Sequence, residues 1–224
     1  MIKLQNISKS FPNTDCLRNV NLEVADGEFV CIMGPSGSGK TTLLNIIGLL
    51  DAPNEGNCMI DGKDVYKLTD KERTIYRREH LGFIFQAYNL IDEMTIGENV
   101  ELPLKLLGLP RNMYKSKTRD ILRELGISHR LNMYPAEISG GQQQRAAIAR
   151  AVIAHPKLIL ADEPTGNLDS KQGQEVMELL CKLHKQLGIT IIMVTHNRRD
   201  ADYADRIVEL FDGRIVSSET QVQN

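Results

Sequence analysis

The fold is decided by the stretch Phe29-Val30-Cys31-Ile32-Met33-Gly34-Pro35-Ser36-Gly37-Ser38-Gly39-Lys40-Thr41. Its first five residues form a continuous apolar run, which predicts a strand buried on both faces of a sheet. The remaining residues match in full the pattern Gly-x-x-x-x-Gly-Lys-Ser/Thr of a phosphate-binding loop, or P-loop. This motif requires a strand before it and a helix after it, and a helix is expected from Thr41 to Leu50. The full pattern in that context disfavours the alternative, a glycine-rich turn without a ligand.

Each residue type in this loop suits a triphosphate, whose clustered negative charge must be held in place. Glycines let successive backbone N–H groups turn inward around the phosphates, and the following helix points the positive end of its dipole at them. Lys40 supplies a point charge for the outer phosphates, and the Thr41 hydroxyl is a ligand for Mg²⁺. The predicted phosphate-binding residues are Gly34, Pro35, Ser36, Gly37, Ser38, Gly39, Lys40, Thr41 and Thr42.

Outside this stretch the chain alternates strands with helices, which predicts an α/β fold with a mostly parallel sheet. Alternating apolar residues before the P-loop predict an N-terminal antiparallel β part. Residues 88–155 have a helical pattern and are interpreted as an inserted α-helical lobe. We therefore predict one P-loop NTPase domain over residues 1–224, with a catalytic core lobe of residues 1–87 and 156–224. The polar tail Ser217–Asn224 is expected to fray.

Composition limits the class of protein. The chain has 224 residues, of which 42% are hydrophobic and 25% charged, as in an ordinary globular domain. Its net charge of −2 disfavours a nucleic-acid binder, because such proteins usually carry a basic surplus. No run approaches the ~20 apolar residues that span a bilayer, so we expect any membrane role to come through a partner. Four scattered cysteines without zinc-site spacing favour a reducing cytoplasm.

Two acids follow a second buried strand. The apolar run Leu158–Ala161 ends in Asp162 and Glu163. Ligands of parallel sheets gather at the carboxyl ends of the strands, so Asp162 is expected beside the P-loop, where it can hold Mg²⁺. Glu163 can then orient or deprotonate an attacking water. The alternative is a solvated acidic strand end, which the P-loop makes less credible.

A second glycine-rich stretch, Ile138-Ser139-Gly140-Gly141-Gln142, opens a predicted helix that runs to Ala154. Ser139 is a good N-cap, and the glycines expose backbone N–H groups at a helix N-terminus. Spacing alone leaves two interpretations open: a second anion site, or a glycine turn that merely starts a helix.

Together these residues resemble the ATP-binding cassette (ABC) family, whose signature loop is similar to Ile138–Gln142. The resemblance covers essentially the whole chain and implies ATP and Mg²⁺ as cofactors. It also implies further roles: Gln86 as the glutamine that senses magnesium and water, and Asp169 as the D-loop aspartate. His196 matches the switch histidine that contacts the γ-phosphate, and Phe11 matches the aromatic residue that stacks on adenine. The implied catalytic residues are Glu163, His196, Gln86 and Lys40, the implied metal residues are Thr41, Gln86 and Asp162, and the implied signature contacts are Ser139, Gly140, Gly141 and Gln142.

The family resemblance also implies partners. A head-to-tail homodimer would close Ser139 and Gly141 of one subunit over ATP held by the P-loop of the other. The region Gln86–Met94 would receive a membrane permease, which places the chain peripherally on the cytoplasmic face of the membrane. Stretches such as Glu98–Leu104 and Pro164–Ser170 look like the macrolide-export and lipoprotein-release branch, which includes antimicrobial-peptide resistance systems and a cell-division regulator.

Three function classes remain to be weighed. The first is the ATPase subunit of an export, lipoprotein-release or resistance transporter. The second is a regulatory ATPase whose closure transmits a signal across the membrane to a cell-wall or cell-division partner. The third, a soluble ABC ATPase of DNA repair or translation, is disfavoured because no heptad run separates Lys40 from Ser139 and only one cassette is present.

Overall fold

The centre of the computed structural model, which describes residues 1–221, is a six-stranded sheet. Its strands are β3 (Phe29–Met33), β6 (Leu81–Ile84), β7 (Leu158–Asp162), β8 (Thr190–Thr195), β9 (Arg206–Phe211) and β10 (Arg214–Thr220). The order across the sheet is β10-β9-β3-β8-β7-β6, and only the β10–β9 pair is antiparallel. The predicted mostly parallel sheet is therefore confirmed.

A second sheet forms the N-terminal part of the chain. It contains β1 (Ile2–Phe11), β2 (Thr14–Val24), β4 (Glu55–Ile60) and β5 (Lys63–Asp64). The order is β2-β1-β4-β5, and every pair is antiparallel. Asp61 and Gly62 make the tight turn between β4 and β5 with φ of 50° and 75°, as a two-residue hairpin requires. The predicted N-terminal antiparallel part is confirmed.

Helices cover the central sheet and form the middle of the chain. They are α1 (Lys40–Ile47), α2 (Asp70–His80), α3 (Ile96–Leu106), α4 (Arg111–Glu124), α5 (Gly140–Val152), α6 (Ser170–Leu187) and α7 (Arg198–Ala201). Thr69, Thr95 and Ser139 begin α2, α3 and α5 with reciprocal capping boxes, which satisfy backbone N–H groups that a helix end leaves free. Within residues 1–221, no helix has the length and apolar character needed to cross a membrane.

The central sheet is buried on both faces. In β8, Ile191 and Met193 pack with the cluster that includes α5 and α6, whereas Ile192 and Val194 pack with α1 and the antiparallel sheet. Burying each such side chain contributes about 1.5–3 kcal/mol. This packing fixes the positions of the strand ends, from which the loops of the candidate site begin.

The structure differs from the expectations at three places. The helix that follows Ser139 ends at Val152 rather than Ala154. The helix after the P-loop ends at Ile47 rather than Leu50, because Gly48 caps it and Leu49 adopts a left-handed φ of 57°. The expectation that the tail frays is wrong for residues 217–220, which continue β10 and pair with β9. Polar side chains stabilise this edge strand: Arg206 donates to Ser218 at 3.1 Å. Residues 222–224 of the predicted tail lie outside the described part of the chain.

Candidate functional site

The carboxyl ends of three neighbouring strands bring the predicted residues to one edge of the central sheet. Met33 pairs with Thr195, and Asp162 pairs with Val194, so the loops after β3, β8 and β7 start side by side. They enclose a cleft of about 640 Å³. The cleft is lined by Cys16, Pro35, Ser36, Gly37, Gly39, Lys40, Thr41, Thr42, Gln86, Asp162, Glu163 and His196.

The P-loop presents a positive charge to this cleft. The Lys40 ammonium group donates to the carbonyl oxygens of Gly34 at 2.8 Å and Pro35 at 2.9 Å, and its side chain is buried. It forms no ion pair with any residue of the described chain, 1–221. Gly39 has φ of 100°, and a Cβ there would lie 2.5 Å from the carbonyl oxygen of Cys16, so only glycine fits. A buried ammonium without a counter-ion is suited to an anionic ligand.

Thr41 and Asp162 form a hydroxyl–carboxylate pair at the foot of the cleft. The Thr41 hydroxyl donates to the Asp162 carboxylate at 3.3 Å. Burial raises the pKa of Asp162, and the negative charge of Glu163 adds to this effect while Thr41 and Lys40 oppose it. A cation or a hydrogen-bond donor at Asp162 would therefore relieve an unfavourable buried charge.

This donor set fits Mg²⁺ bound together with a substrate phosphate. Mg²⁺ takes one or two protein carboxylates and completes its shell with water and phosphate oxygens. Over residues 1–221 there is no cluster of three or more His, Cys, Asp or Glu side chains that could form a cage made only of protein ligands. The cleft offers one carboxylate, one hydroxyl and the Gln86 amide. This set matches a Mg²⁺ site that phosphate and water complete, and it does not match a cage made only of protein ligands.

Glu163 is held with one carboxylate oxygen against His196. Its Oε1 lies 2.8 Å from His196 Nδ1, and its Oε2 accepts a hydrogen bond from the Thr195 hydroxyl at 3.1 Å. The Glu163 N–H donates to the Val194 carbonyl at 2.9 Å, and its φ of 45° turns the residue off the end of β7. The side chain of Glu163 is largely buried, whereas that of His196 is exposed. This pair can accept a proton at the mouth of the cleft.

Gln86 follows β6 and contacts the loop after Glu163. Its side-chain amide donates to Asn167 Oδ1 at 3.3 Å, and Asn167 Nδ2 donates back to the Gln86 carbonyl at 3.0 Å. Sequence reasoning assigned no role to Asn167, although it stands in the stretch that resembles the D-loop. The structure therefore joins the predicted glutamine to the predicted D-loop directly.

The second glycine-rich loop does not line the cleft of its own chain. Ser139 is exposed and caps α5 by accepting from Gln142 N–H at 3.4 Å, and Gly141 is buried against Gln172. Asp169 caps α6, where it accepts from Gln172 N–H at 2.8 Å. Within one chain, the P-loop and the signature-like loop are thus two separate helix N-termini, and an anion site at the second stays a prediction.

Phe11 lies at the end of β1 opposite Thr14 and is 46% exposed, with the Lys9 ammonium 5.0 Å from its ring centroid. It does not line the cleft, but the strand that follows it, β2, brings Cys16 there. Sequence reasoning missed Cys16, because no motif spacing marks it. Stacking of adenine on Phe11 stays a prediction.

Comparison with known proteins agrees with this geometry. The family described as "ABC transporter" matches residues 17–166. An uncharacterised ABC transporter ATP-binding protein of Methanocaldococcus jannaschii is 49% identical over 96% of this chain and 98% of its own length. The lipoprotein-releasing system ATP-binding protein LolD of Geobacter metallireducens is 44% identical over 97% of this chain and 98% of its own length.

Two further similarities extend the comparison. The macrolide export ATP-binding/permease protein MacB of Brucella melitensis is 47% identical over 99% of this chain, which covers 35% of that longer protein. A solved dimer of the ATP-binding cassette MJ0796 in a post-hydrolysis state, bound to ADP and phosphate, superposes with a TM-score of 0.92. Its identity to this chain is 44%, and the match covers 100% of both chains.

Proposed function

The chain belongs to the ABC transporter family and is an ATP-binding cassette ATPase, and from that premise we propose that it is the motor subunit of a membrane transporter. In this proposal it works as a head-to-tail homodimer on a permease with few membrane helices, for efflux, lipoprotein release or antimicrobial-peptide resistance. The relatives LolD and MacB support this branch, since they are named for lipoprotein release and macrolide export. One observation carries the catalytic role: Lys40, Thr41–Asp162 and Glu163–His196 line a single cleft.

We assign substrate binding to the P-loop. The backbone N–H groups of residues 34–42 and the Lys40 ammonium hold the triphosphate, which replaces the carbonyl oxygens as the partner of the ammonium. Thr41, Asp162 and Gln86 would hold Mg²⁺, which when bound neutralises charge on the phosphate oxygens and helps to align them. Phe11 is proposed to stack on adenine at the rim formed by β1 and β2.

Glu163 is the proposed general base. Its largely buried carboxylate orients a water for in-line attack on the γ-phosphate and accepts the proton of that water. Thr195 fixes one carboxylate oxygen and His196 fixes the other, so the group is already in place before the water arrives. His196 and Lys40 stabilise the negative charge that develops on the transferred phosphoryl group.

A homodimer would bring the signature-like loop to a nucleotide, which the loop does not reach within its own chain. Ser139 and the N-terminus of α5 are the proposed second anion site, and these residues do not line the cleft of the same chain. In a head-to-tail pair, Ser139, Gly140, Gly141 and Gln142 of one subunit would close over the γ-phosphate in the cleft of the other. Asp169 would then stand at the subunit interface. The dimeric cassette with which this chain superposes supports such an assembly.

An apolar groove of about 410 Å³ supports permease docking. It lies beside the loop that begins at Gln86, and its lining includes Phe83, Phe85, Asn89 and the exposed side chain of Leu106. Arg77, Arg78 and Arg150 also line it, so a permease segment that combines apolar with acidic residues would complement the groove. We propose that this groove and Gln86–Met94 hold the chain peripherally at the cytoplasmic face of the membrane.

The docking proposal is tested with two exposed leucines. Leu106 lies in the groove and is 51% exposed, whereas Leu187 at the end of α6 is 42% exposed and lies outside it. Leu106→Arg is expected to move the chain from the membrane fraction of its cells to the soluble fraction, because a further positive charge cannot be buried cheaply in an apolar contact beside three arginines. Leu187→Arg should leave the distribution unchanged. Equal distributions of both variants would refute docking at this groove.

A further inference from the structure

The loop from Glu163 to Asp169 carries the proposed base at one end and the proposed interface aspartate at the other. Two backbone hydrogen bonds form turns within it: the Gly166 N–H donates to the Glu163 carbonyl at 3.0 Å, and the Leu168 N–H donates to the Thr165 carbonyl at 2.9 Å. Glu163 has a left-handed φ of 45°, which is unfavourable for a residue with a side chain. The surroundings must therefore hold this loop in place.

Two buried side chains hold the loop at Pro164 and Thr165. From one side, Gln144 of α5 donates its amide to the Pro164 carbonyl at 2.6 Å, and Gln144 is fully buried. From the other side, Asp200 of α7 accepts a hydrogen bond from the Thr165 hydroxyl. Thr165 is 8% exposed and Asp200 is 5% exposed, so water does not compete for this bond.

Helix capping alone would explain an aspartate in the first turn of a helix. Asp200 does stand three residues after Asn197, the N-cap of α7. However, its carboxylate is buried and accepts a hydrogen bond from the hydroxyl of Thr165, which lies 35 positions earlier in the chain. Thr165 lies beside Gly173 of α6, where a Cβ on that glycine would be 3.4 Å from Thr165 Cβ.

The burial of Asp200 is unfavourable by itself. Desolvation raises the pKa of its carboxyl, and the nearby charge of Glu163 raises it further, while the hydrogen bond from Thr165 acts in the opposite direction. A buried carboxyl is tolerated when hydrogen bonds satisfy it, and the Thr165 hydroxyl is such a partner.

The segment after β7 and the segment after β8 are thereby linked at two points. At the first link, Glu163 contacts His196 at 2.8 Å. At the second link, Thr165 is bound to Asp200, which lies four residues after His196 in the sequence. We propose that Asp200 is a positioning residue that acts through the Thr165 hydroxyl to fix Glu163 relative to His196. This inference rests on the proposed roles of Glu163 and His196.

The test removes only the hydroxyl. Thr165→Val keeps the shape of the side chain but loses the donor, and Thr165→Ser keeps the donor but loses the methyl group. In steady-state assays of the full chain with Mg²⁺ and ATP, Thr165→Val should lower kcat roughly 10- to 100-fold, with KM and ADP affinity within about twofold of wild type. Thr165→Ser should retain a kcat close to that of wild type.

Thr190 offers a matched control. It is 6% exposed, and its hydroxyl accepts from Gly27 N–H at 2.9 Å at the opposite end of β8 from the cleft. Thr190→Val should lower the melting temperature without a selective loss of kcat. If Thr165→Val and Thr165→Ser have the same kcat, or if Thr190→Val loses kcat as much as Thr165→Val, the inference is refuted.

A double-mutant cycle isolates the bond itself. Asp200→Asn leaves a carbonyl acceptor but weakens the bond, since a charged acceptor binds a hydroxyl more strongly. If Asp200 acts through Thr165, the pair Thr165→Val and Asp200→Asn should lose no more kcat than Thr165→Val alone. If the loss of kcat in the double variant equals the product of the two single losses, the inference is refuted, although the wild-type chain still hydrolyses ATP. A wild-type chain without Mg²⁺-dependent hydrolysis would instead refute the proposed function.

Discussion

Replacing Gly141 with aspartate should leave folding of the chain intact but prevent closure of the composite site, in which residues 139–142 of one subunit close over the nucleotide of the other. Gly141 is the second residue of α5, and a Cβ there would lie 2.5 Å from the Gln172 Oε1 atom. That atom is the far end of a flexible side chain, which also donates to Asp169 at 2.7 Å. Moving Gln172 aside costs this hydrogen bond, about 0.5–1.5 kcal/mol. An acidic residue in the first turn stabilises a helix by about 0.3–1 kcal/mol, so the fold should remain intact.

Gly141→Asp should disfavour closure of the dimer by more free energy than it disfavours folding. In the closed dimer, the new carboxylate would face the γ-phosphate held by the other subunit. Two like charges about 4 Å apart near a protein surface repel by about 4 kcal/mol. Since every 1.4 kcal/mol is about a factor of ten, ATP-dependent dimerisation should weaken roughly a thousandfold for each of the two nucleotide sites of the dimer.

The assays follow from this separation. Gly141→Asp should bind ATP as a monomer with the affinity of the wild-type monomer, but it should lose dimer-dependent hydrolysis. Gly141→Ala is the control, because it displaces Gln172 in the same way without adding a charge. If Gly141→Asp hydrolyses ATP as fast as Gly141→Ala, residues 139–142 do not close over a nucleotide, and the composite site is refuted.

Two further predictions use groups of the cleft. Since burial raises the pKa of Asp162 in the folded state, its ionisation disfavours folding above that pKa, and Asp162→Asn should raise the melting temperature of the nucleotide-free chain at pH 7. The gain should vanish as the pH falls below about 4, and a gain that persists there would refute burial as its cause. Alkylation with N-ethylmaleimide should block ATP binding through Cys16, which lines the cleft, and bound ATP should protect it. Cys31 and Cys58 are buried with raised pKa values and should stay unmodified, whereas Cys181 is partly exposed and lies outside the cleft. Modification located at Cys16 by peptide mass spectrometry that ATP does not slow would contradict the position of Cys16.

Local features of the fold could be predicted from the sequence because they depend on neighbouring residues. The run Phe29–Met33 has the predicted strand boundaries, and the capping box at Thr69 begins α2 as its spacing requires. Boundaries were less certain where tertiary contacts decide them. The polar residues 217–220 form a strand because β9 offers an unpaired edge, which their own composition does not reveal.

Motifs that follow parallel strands were predicted to meet, and β7 and β8 do bring Glu163 and His196 together. Contacts between residues without a motif could not be predicted. Cys16 reaches the cleft only because the antiparallel sheet packs beside the P-loop. Thr165 and Asp200 are 35 residues apart, and nothing in their spacing indicates that both are buried and bonded. Such pairs depend on the topology of the whole sheet.

In the proposed mechanism, two copies of the chain enclose each ATP molecule between them, with Glu163 as the base. Glu163→Gln keeps the shape of the side chain but removes its basicity, so ATP should bind and remain uncleaved. Size-exclusion chromatography with light scattering, in ATP and Mg²⁺, should show a stable dimer that contains intact ATP. The control Glu178→Gln, an exposed residue of α6, should hydrolyse ATP like wild type. A Glu163→Gln chain that stays monomeric in ATP, or that turns over ATP at the wild-type rate, would contradict this mechanism.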